Sequence, residues 1–406
     1  MTVVDTNRRP SSPEWDDSRI PQRTTRPSRG LTPPRPTAPP KAQPKKRKDP
    51  RWAKLTVVFG AVLMMGSGAG IAGTKWLVSN ATGAVTQENL LGGTQKGAAE
   101  GGGDIDGPVD ILLMGVDARK RWAVDDLRSD TIIALHIPAS HDQAYLVSIP
   151  RDTMMQVPAF PKAKYPGGTA KATEVFFHGA QNGGGWAGGA QLMAQTIKAN
   201  TGMSFDGAAI IDFNGFKSVI DALKGVRMCV DQEVKSKHMQ IVNGKPMYLA
   251  DARKTPGTHE PVVHKKGCRD MEGWEALDYA RQRYGLKNGD YDRQRHQQQL
   301  IKAMAKKAAS SGVLTNPLKV NDLIKAAGKA FVLDTGDVPV ADFIFSLKGV
   351  AANDMVLLRT NNGTFASNGA GGEAITPKSM EMYKAVKEDK LSEFILANPD
   401  VVANEK

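Results

Sequence analysis

Residues 109–149, VDILLMGVDARKRWAVDDLRSDTIIALHIPASHDQAYLVSI, hold three short apolar runs. VDILLMGV (109–116), TIIALHI (131–137) and AYLVSI (144–149) are rich in β-branched residues and bounded by Gly, Pro and Asp, the pattern of buried strands. Further along, helical spacing of apolar residues covers 189–200, 215–224, 272–282, 291–309, 319–330, 338–349 and 378–396. Strand candidates at 208–213, 226–230 and 354–359 fall between them. Strands interleaved with helices predict an α/β domain, a central β-sheet flanked by helices on both faces.

Charged residues are attached to the ends of these apolar elements. Run 109–116 leads into Asp117 and Arg119, run 131–137 follows Arg128 and Asp130, and run 144–149 is followed by Arg151 and Asp152. Such charges can be solvated strand ends. If neighbouring strands bring them together, carboxylates and guanidinium groups converge as a metal-assisted phosphate site requires: hard oxygens for Mg²⁺, planar forks for phosphate. A second cluster lies in GWEALDYARQRYGLKNGDYDRQRHQQQLIKAMAKKA (273–308). Leu300, Ile301 and Met304 mark an inward stripe, and steps of seven back from Leu300 and Met304 reach Arg293 and Gln297. An inward Arg near a helix N-terminus opposes both desolvation and the helix dipole, so it calls for an anion. Arg281 and Arg283, two apart, cannot face one way on a regular helix, so the turn after the helix must aim one of them. Pairing with Asp278, Asp290 and Asp292 in a solvated network satisfies the same pattern.

Of 406 residues, 54 are Lys or Arg and 42 Asp or Glu, a net charge of +12 that invites a nucleic-acid reading. Residues 1–54 carry +9 of it, with 11 of the 24 prolines and no apolar periodicity, which predicts a disordered basic tail. Aromatics at 6% are too sparse for base-stacking platforms, and no helix-turn-helix or zinc pattern is present, so nucleic acid is not an expected partner. From Leu55 to Thr74, 20 residues carry no charge. As a helix they rise roughly 30 Å, the thickness of a bilayer core. The basic cluster Lys45–Lys48 before this segment orients the tail inward, giving a single transmembrane helix over 55–76 and a type II topology in the cell membrane with an extracellular C-terminal part. A cleaved signal peptide competes, but the basic region is too long for one and no small-residue cleavage site follows. Residues 77–107, rich in Gly, Ala and Thr, read as a flexible stalk. Residues 108–406 read as the domain. Cys229 and Cys268 fall on the outer side, where a disulfide is expected against the alternative of two buried thiols. The six histidines 136, 141, 178, 238, 259 and 264 lack metal-ligand spacing and read as solvated or structural.

The segments DILLMGVDAR (110–119), RSDTIIAL (128–135), SIPRDT (148–153), FHGAQNGGG (177–185), ALDYARQR (276–283) and GDYDRQRHQQQ (289–299), in this order, resemble the LytR-CpsA-Psr (LCP) family of bacterial cell envelopes. The resemblance covers roughly 108–308 and implies an LCP-like α-β-α fold around a mixed sheet. It implies a Mg²⁺- or Mn²⁺-dependent phosphotransferase. Such an enzyme takes a teichoic acid-like glycopolymer from a polyprenyl-pyrophosphate carrier and joins it by a phosphodiester to peptidoglycan, at the 6-hydroxyl of N-acetylmuramic acid. By this resemblance Asp117 and Asp130 match the metal carboxylates, and Arg128, Arg151, Arg281, Arg283, Arg293 and Gln297 match the pyrophosphate contacts. Arg119 joins them by its place at a strand end. Asp130 or Asp152 is the expected proton acceptor, with Arg128 and Arg151 as charge stabilisers. His296 stands where many members carry a second arginine. The polyprenyl chain needs an apolar channel, for which helices within 189–224 and 338–349 are candidates. A lipid-pyrophosphate hydrolase and a non-catalytic envelope regulator or polymer-binding protein are the competing readings.

Overall fold

The computed structural model describes residues 86–97, 107–117, 127–313, 331–336 and 355–403, with isolated positions between 316 and 328. The basic tail, the apolar segment 55–74, Arg119 and the helix expected at 338–349 lie outside the described residues, as does half of 319–330. Among the described residues no helix is long and apolar enough to cross a membrane.

The three opening runs form adjacent strands β2 (Val109–Val116), β3 (Ser129–Ile137) and β4 (Ala144–Ser148), paired antiparallel in sequence order. They are the middle of a seven-stranded mixed sheet ordered β1-β13-β7-β2-β3-β4-β14, completed by β1 (Thr86–Gln87), β7 (Gly207–Asp212), β13 (Phe331–Asp334) and β14 (Met355–Leu358). β7 lies parallel to β2, and β14 parallel to β4. Both faces are covered, which explains apolar runs without strict alternation. On one face Leu112, Met114, Ile132 and Val147 pack against α1 (Ala172–Ala180), α2 (Gly185–Thr201) and α7 (Pro377–Lys387). On the other, Ile111, Ile133, Leu146 and Leu357 meet Ile301 and Ala305 of α6 (Asp290–Ser310), and Ala209 and Leu333 meet α3 (Phe213–Ala222) and α5 (Gly273–Arg281). The layers are α/β/α. Fully burying each such Leu, Ile or Met stabilises the fold by about 1.5–3 kcal/mol.

Several expectations change. Residues 86–97, read as stalk, belong to the domain: β1 pairs with β13, and Leu90 and Leu91 are fully buried with their amides on the Asp334 carboxylate at 2.7 and 3.1 Å. Two leucines in a Gly- and Thr-rich stretch were too short a signal. Strand β8 (Val226–Val230) is not in the central sheet but pairs with β12 (Gly267–Met271) in a ribbon over α3, α5 and α6. Residues 154–187 and 234–268, for which no element is predicted above, contain a hairpin, β5 (Met154–Val157) with β6 (Gly168–Lys171), the helix α1, and a three-stranded sheet of β9 (Val234–Val242), β10 (Lys245–Tyr248) and β11 (His259–His264). The helix expected over 378–396 is two, α7 and α8 (Leu391–Ala397), broken where Asp389 turns left-handed at φ 53°. The helices within 189–224 lie on opposite faces of the sheet, α2 with Leu112 and α3 with Ala209, so they do not line one channel.

α1 and α2 cross at their glycines. A Cβ on Gly188 would lie 2.4 Å from the Gly179 carbonyl oxygen, and one on Gly179 equally close to the Gly188 oxygen. The FHGAQNGGG segment is thus a packing device.

Cys229 and Cys268 face each other across the β8–β12 pair and form a disulfide, 39 residues apart. On the chain-entropy model a loop of that size stabilises by about 4 kcal/mol. Cys229→Ser is therefore expected to lower unfolding free energy by up to that amount in denaturant titration, with a larger m-value because the unfolded chain expands. No loss under oxidising conditions would mean that the bond does not constrain the unfolded chain.

Candidate active site

The C-terminal ends of β2, β7 and β4 and the start of β3 share one edge of the sheet, where ligands gather in open α/β folds. Gly115 is opposite Thr131 and Val116 opposite Ser129, so Asp130 is an extra residue in β3. A bulge of this kind re-aims a side chain and interrupts pairing. Only glycine fits at 115, because a Cβ there would lie 2.9 Å from the Thr131 Cβ.

The Asp130 carboxylate accepts hydrogen bonds from Arg151 Nη1 and from Thr173 Oγ1, the latter at 3.2 Å. Arg293, 6% exposed, donates to the Asp130 carbonyl at 3.0 Å and pairs with Asp290 at 2.8 Å. Burial pushes its guanidinium pKa down, against the opposing pull of Asp290 and Asp130. Arg151 Nε, 3.7 Å from the Asp152 carboxylate, and Arg293 Nε are both buried without a hydrogen-bond acceptor among the described residues. A buried guanidinium N–H without an acceptor is costly, and an anionic oxygen would satisfy it.

α5 ends at Arg281, and Gln282 is extended (φ −66°, ψ 136°). Gln282 is fully buried and held by Asp278 and Ser236, which leaves Arg281 and Arg283 on the side opposite it. Arg281 pairs with Asp117 at 3.1 Å and stands 3.8 Å over the Phe213 ring. Arg283 donates to the Tyr284 hydroxyl at 2.6 Å, close enough to Asp290 and Asp130 for both to raise its pKa further. Asp152 is held by Lys171 at 3.2 Å. Arg128 is exposed and lies 5.8 Å from the Phe177 centroid, without an ion pair among the described residues. Gln297 is half-buried one turn beyond Arg293.

The structure thus brings Asp117, Asp130, Arg151, Asp152, Arg281, Arg283 and Arg293 to one edge and leaves Arg128 at its margin. The alternative network is present only in part: Asp290 pairs with Arg293, Asp292 with Arg295, and Asp278 with buried His264. His296 is fully buried, its Nε2 2.9 Å from the Tyr279 hydroxyl and 3.2 Å from Asp231, and burial lowers its pKa. It is not among the arginines at the edge. The contributions of Thr173, Lys171 and Phe213 were not read from the sequence. Nor was that of Asp212, which caps α3 through Gly215 N at 2.7 Å and whose pKa burial raises. Only the capping position of Asp212, before a helix, carried a local signal.

Among the described residues no group of three or more His, Cys, Asp or Glu side chains is arranged to hold a metal. Asp117 and Asp130 are hard oxygen donors, each also held by a guanidinium group. That set fits Mg²⁺ in its usual regime of one or two carboxylates completed by substrate phosphates and water.

The fold and its edge define a three-layer α/β protein with a cluster of arginines and carboxylates at the strand ends. The chain belongs to the LytR_cpsA_psr family, whose model matches residues 74–389. It is 26% identical over 349 residues to the cell wall biosynthesis protein LcpA of Corynebacterium glutamicum, covering 80% of this chain and 63% of that one. It is 30% identical over 217 residues to the polyisoprenyl-teichoic acid–peptidoglycan teichoic acid transferase TagU of Oceanobacillus iheyensis, covering 53% and 56%. The chain therefore spans less than two-thirds of the length of these curated relatives. Protein gbs0355 of Streptococcus agalactiae shares the fold with a TM-score of 0.54 at 19% identity, over 73% of this chain and 91% of that one.

Proposed function

We propose that the protein is a membrane-anchored phosphotransferase that moves a glycopolymer from a polyprenyl-pyrophosphate carrier to a peptidoglycan hydroxyl during cell wall biogenesis. The observation that carries this reading is the pair of buried guanidinium N–H groups, on Arg151 and Arg293, left without acceptors beside Asp130. The family and the transferase activity for which the relative TagU is named support it.

In the reaction the acceptor hydroxyl oxygen bonds to the phosphorus next to the glycopolymer, and the bond from that phosphorus to the bridging oxygen breaks. Polyprenyl phosphate leaves with the electron pair. Arg151 and Arg293 bind the phosphate oxygens and stabilise the charge that develops on them, while Arg281 and Arg283 extend the cationic rim. The hydroxyl proton passes to a carboxylate, Asp130 or Asp152, both partly exposed at this edge. Mg²⁺, held by Asp117 and Asp130, would neutralise pyrophosphate charge when bound. The apolar segment 55–74 would keep the domain at the membrane surface, where the lipid carrier resides.

The test is product analysis with a synthetic polyprenyl-pyrophosphate glycopolymer, with and without peptidoglycan. A phosphodiester-linked glycan that forms only with peptidoglycan is expected. Free polymer phosphate as the sole product in both arms would replace transfer with hydrolysis, and no consumption of donor would favour a non-catalytic role.

A further inference from the structure

The same sheet edge carries a second recess on the far side of the α6 N-terminus. Its volume is about 370 Å³, and among the described residues Leu358 is the only aliphatic lining side chain. α6 presents two stripes. Arg293 is on the one directed at β3, whereas Tyr291, Gln294, Arg295 and Gln298, at helical spacing, line this cavity. Its floor is the ends of β4 and β14, closed by Gln298 Nε2, which donates to Ser148 Oγ at 2.9 Å and to the Leu358 carbonyl at 3.1 Å.

The chemistry of the wall is specific. Arg295 pairs with both acidic groups, Asp231 at 2.5 Å and Asp292 at 3.2 Å, and Lys287 and Arg359 add two further cations to the wall. Arg295 Nη1 and Arg359 Nε remain buried with no acceptor among the described residues. Gln232, Asn288 and Gln294 add side-chain amides. A polar wall of this size excludes a polyprenyl chain. Amides suit vicinal hydroxyls, and the two free guanidinium N–H groups require a carbonyl or carboxylate oxygen.

The cavity is also tied to the arginine site. Ser148 is three residues before Arg151 on the same strand exit. Tyr291 donates to the Glu373 carboxylate, and Glu373 N donates to the Asp152 carbonyl at 3.0 Å. None of the described lining residues belongs to the arginine cluster, so a ligand here would not compete for those side chains.

We infer that this cavity is an acceptor-glycan subsite, which anchors an N-acetylated sugar of the acceptor glycan at the α6 N-terminus while a neighbouring sugar of the same glycan carries the reacting hydroxyl. The inference rests on the transfer reaction proposed above.

The test uses the full chain in detergent micelles, titrated calorimetrically with an N-acetylglucosamine/N-acetylmuramic acid tetrasaccharide and, separately, with polyprenyl pyrophosphate. Arg359→Ala and Asn288→Ala, both at the rim, are expected to weaken saccharide binding at least about tenfold, the effect of losing a charge-assisted or amide hydrogen bond. Polyprenyl-pyrophosphate affinity is expected to be unchanged in both. Arg151→Ala is expected to do the reverse. Equal saccharide affinity in wild type and both rim variants, or no saccharide binding by wild type, would overturn the assignment. If transfer proceeds with the acceptor KM unchanged in both rim variants, the subsite is wrong and the transferase reading stands. If wild type binds the saccharide through these residues but transfers nothing, the transferase reading fails and the subsite survives.

Discussion

Arg151→Ala is expected to lower the rate of glycopolymer transfer by about 10²- to 10³-fold, equivalent to about 2.7–4 kcal/mol of lost transition-state stabilisation. Arg151 is the guanidinium group that reaches the Asp130 carboxylate and keeps a buried Nε without an acceptor. Its side chain is 22% exposed and pairs with Asp130, so the thermal midpoint of the variant is measured alongside to separate lost stability from lost catalysis. Arg151→Lys keeps the charge but loses the planar fork, and an intermediate rate is expected. Single-turnover release of polyprenyl phosphate reads the effect without interference from product release. A variant as fast as wild type would remove Arg151 from the charge-stabilising set and return weight to the non-catalytic reading.

Asp110→Ala should destabilise the domain by about 3–5 kcal/mol, the range for removing one partner of a buried ion pair. Asp110 is 2% exposed and holds two buried cations, Lys96 at 2.5 Å and His136 at 2.7 Å. His136 lies directly across the strand pair from Asp110 and contacts Asp389 at 3.2 Å on its other nitrogen. Burial pushes the His136 pKa down, but the hydrogen bond to Asp110 and the nearby Asp389 carboxylate overcome it and raise it to about 9. Since the folded pKa exceeds the unfolded value near 6.5, this contribution is complete below about pH 6.5 and is lost as pH rises through 9. Denaturant titrations of wild type should therefore lose stability between those limits, and Asp110→Ala should flatten the loss. A wild-type profile flat over that window would mean that His136 stays neutral.

The legible part of the fold was its centre. Runs 109–116, 131–137 and 144–149 became three adjacent strands, because burial on both faces writes a continuous apolar run into the sequence. The amphipathic helices at 272–282 and 291–309 were equally visible, and their boundaries agree within a residue. Short, two-sided or polar elements were not visible. β9, with exposed Lys235 and Lys237, carries too few apolar residues to declare a strand, and the glycine-lined crossing of α1 and α2 looks like a loop.

The candidate site divides in the same way. Placement at strand and helix ends marked Asp117, Asp130, Arg151, Arg281, Arg283 and Arg293, because charge next to an apolar run is a local signal. Thr173 and Lys171 carry no such mark; they reach Asp130 and Asp152 because α1 begins against the backbone of Arg151 and Thr153. His296 shows the converse. Its position suggested a substitute for a phosphate-binding arginine, but rotation around α6 turns it inward to Tyr279 and Asp231.

By itself the sequence determined which residues could carry charge to an edge of the sheet, since hydrophobic periodicity and spacing are properties of the chain. Only the tertiary structure decided which of them meet. The bulge that re-aims Asp130, the extended Gln282 that sets Arg281 and Arg283 on one side, and the two stripes of α6 that separate the arginine cluster from the polar cavity all depend on contacts between residues distant in sequence. Those contacts are selected by packing, which no local pattern encodes.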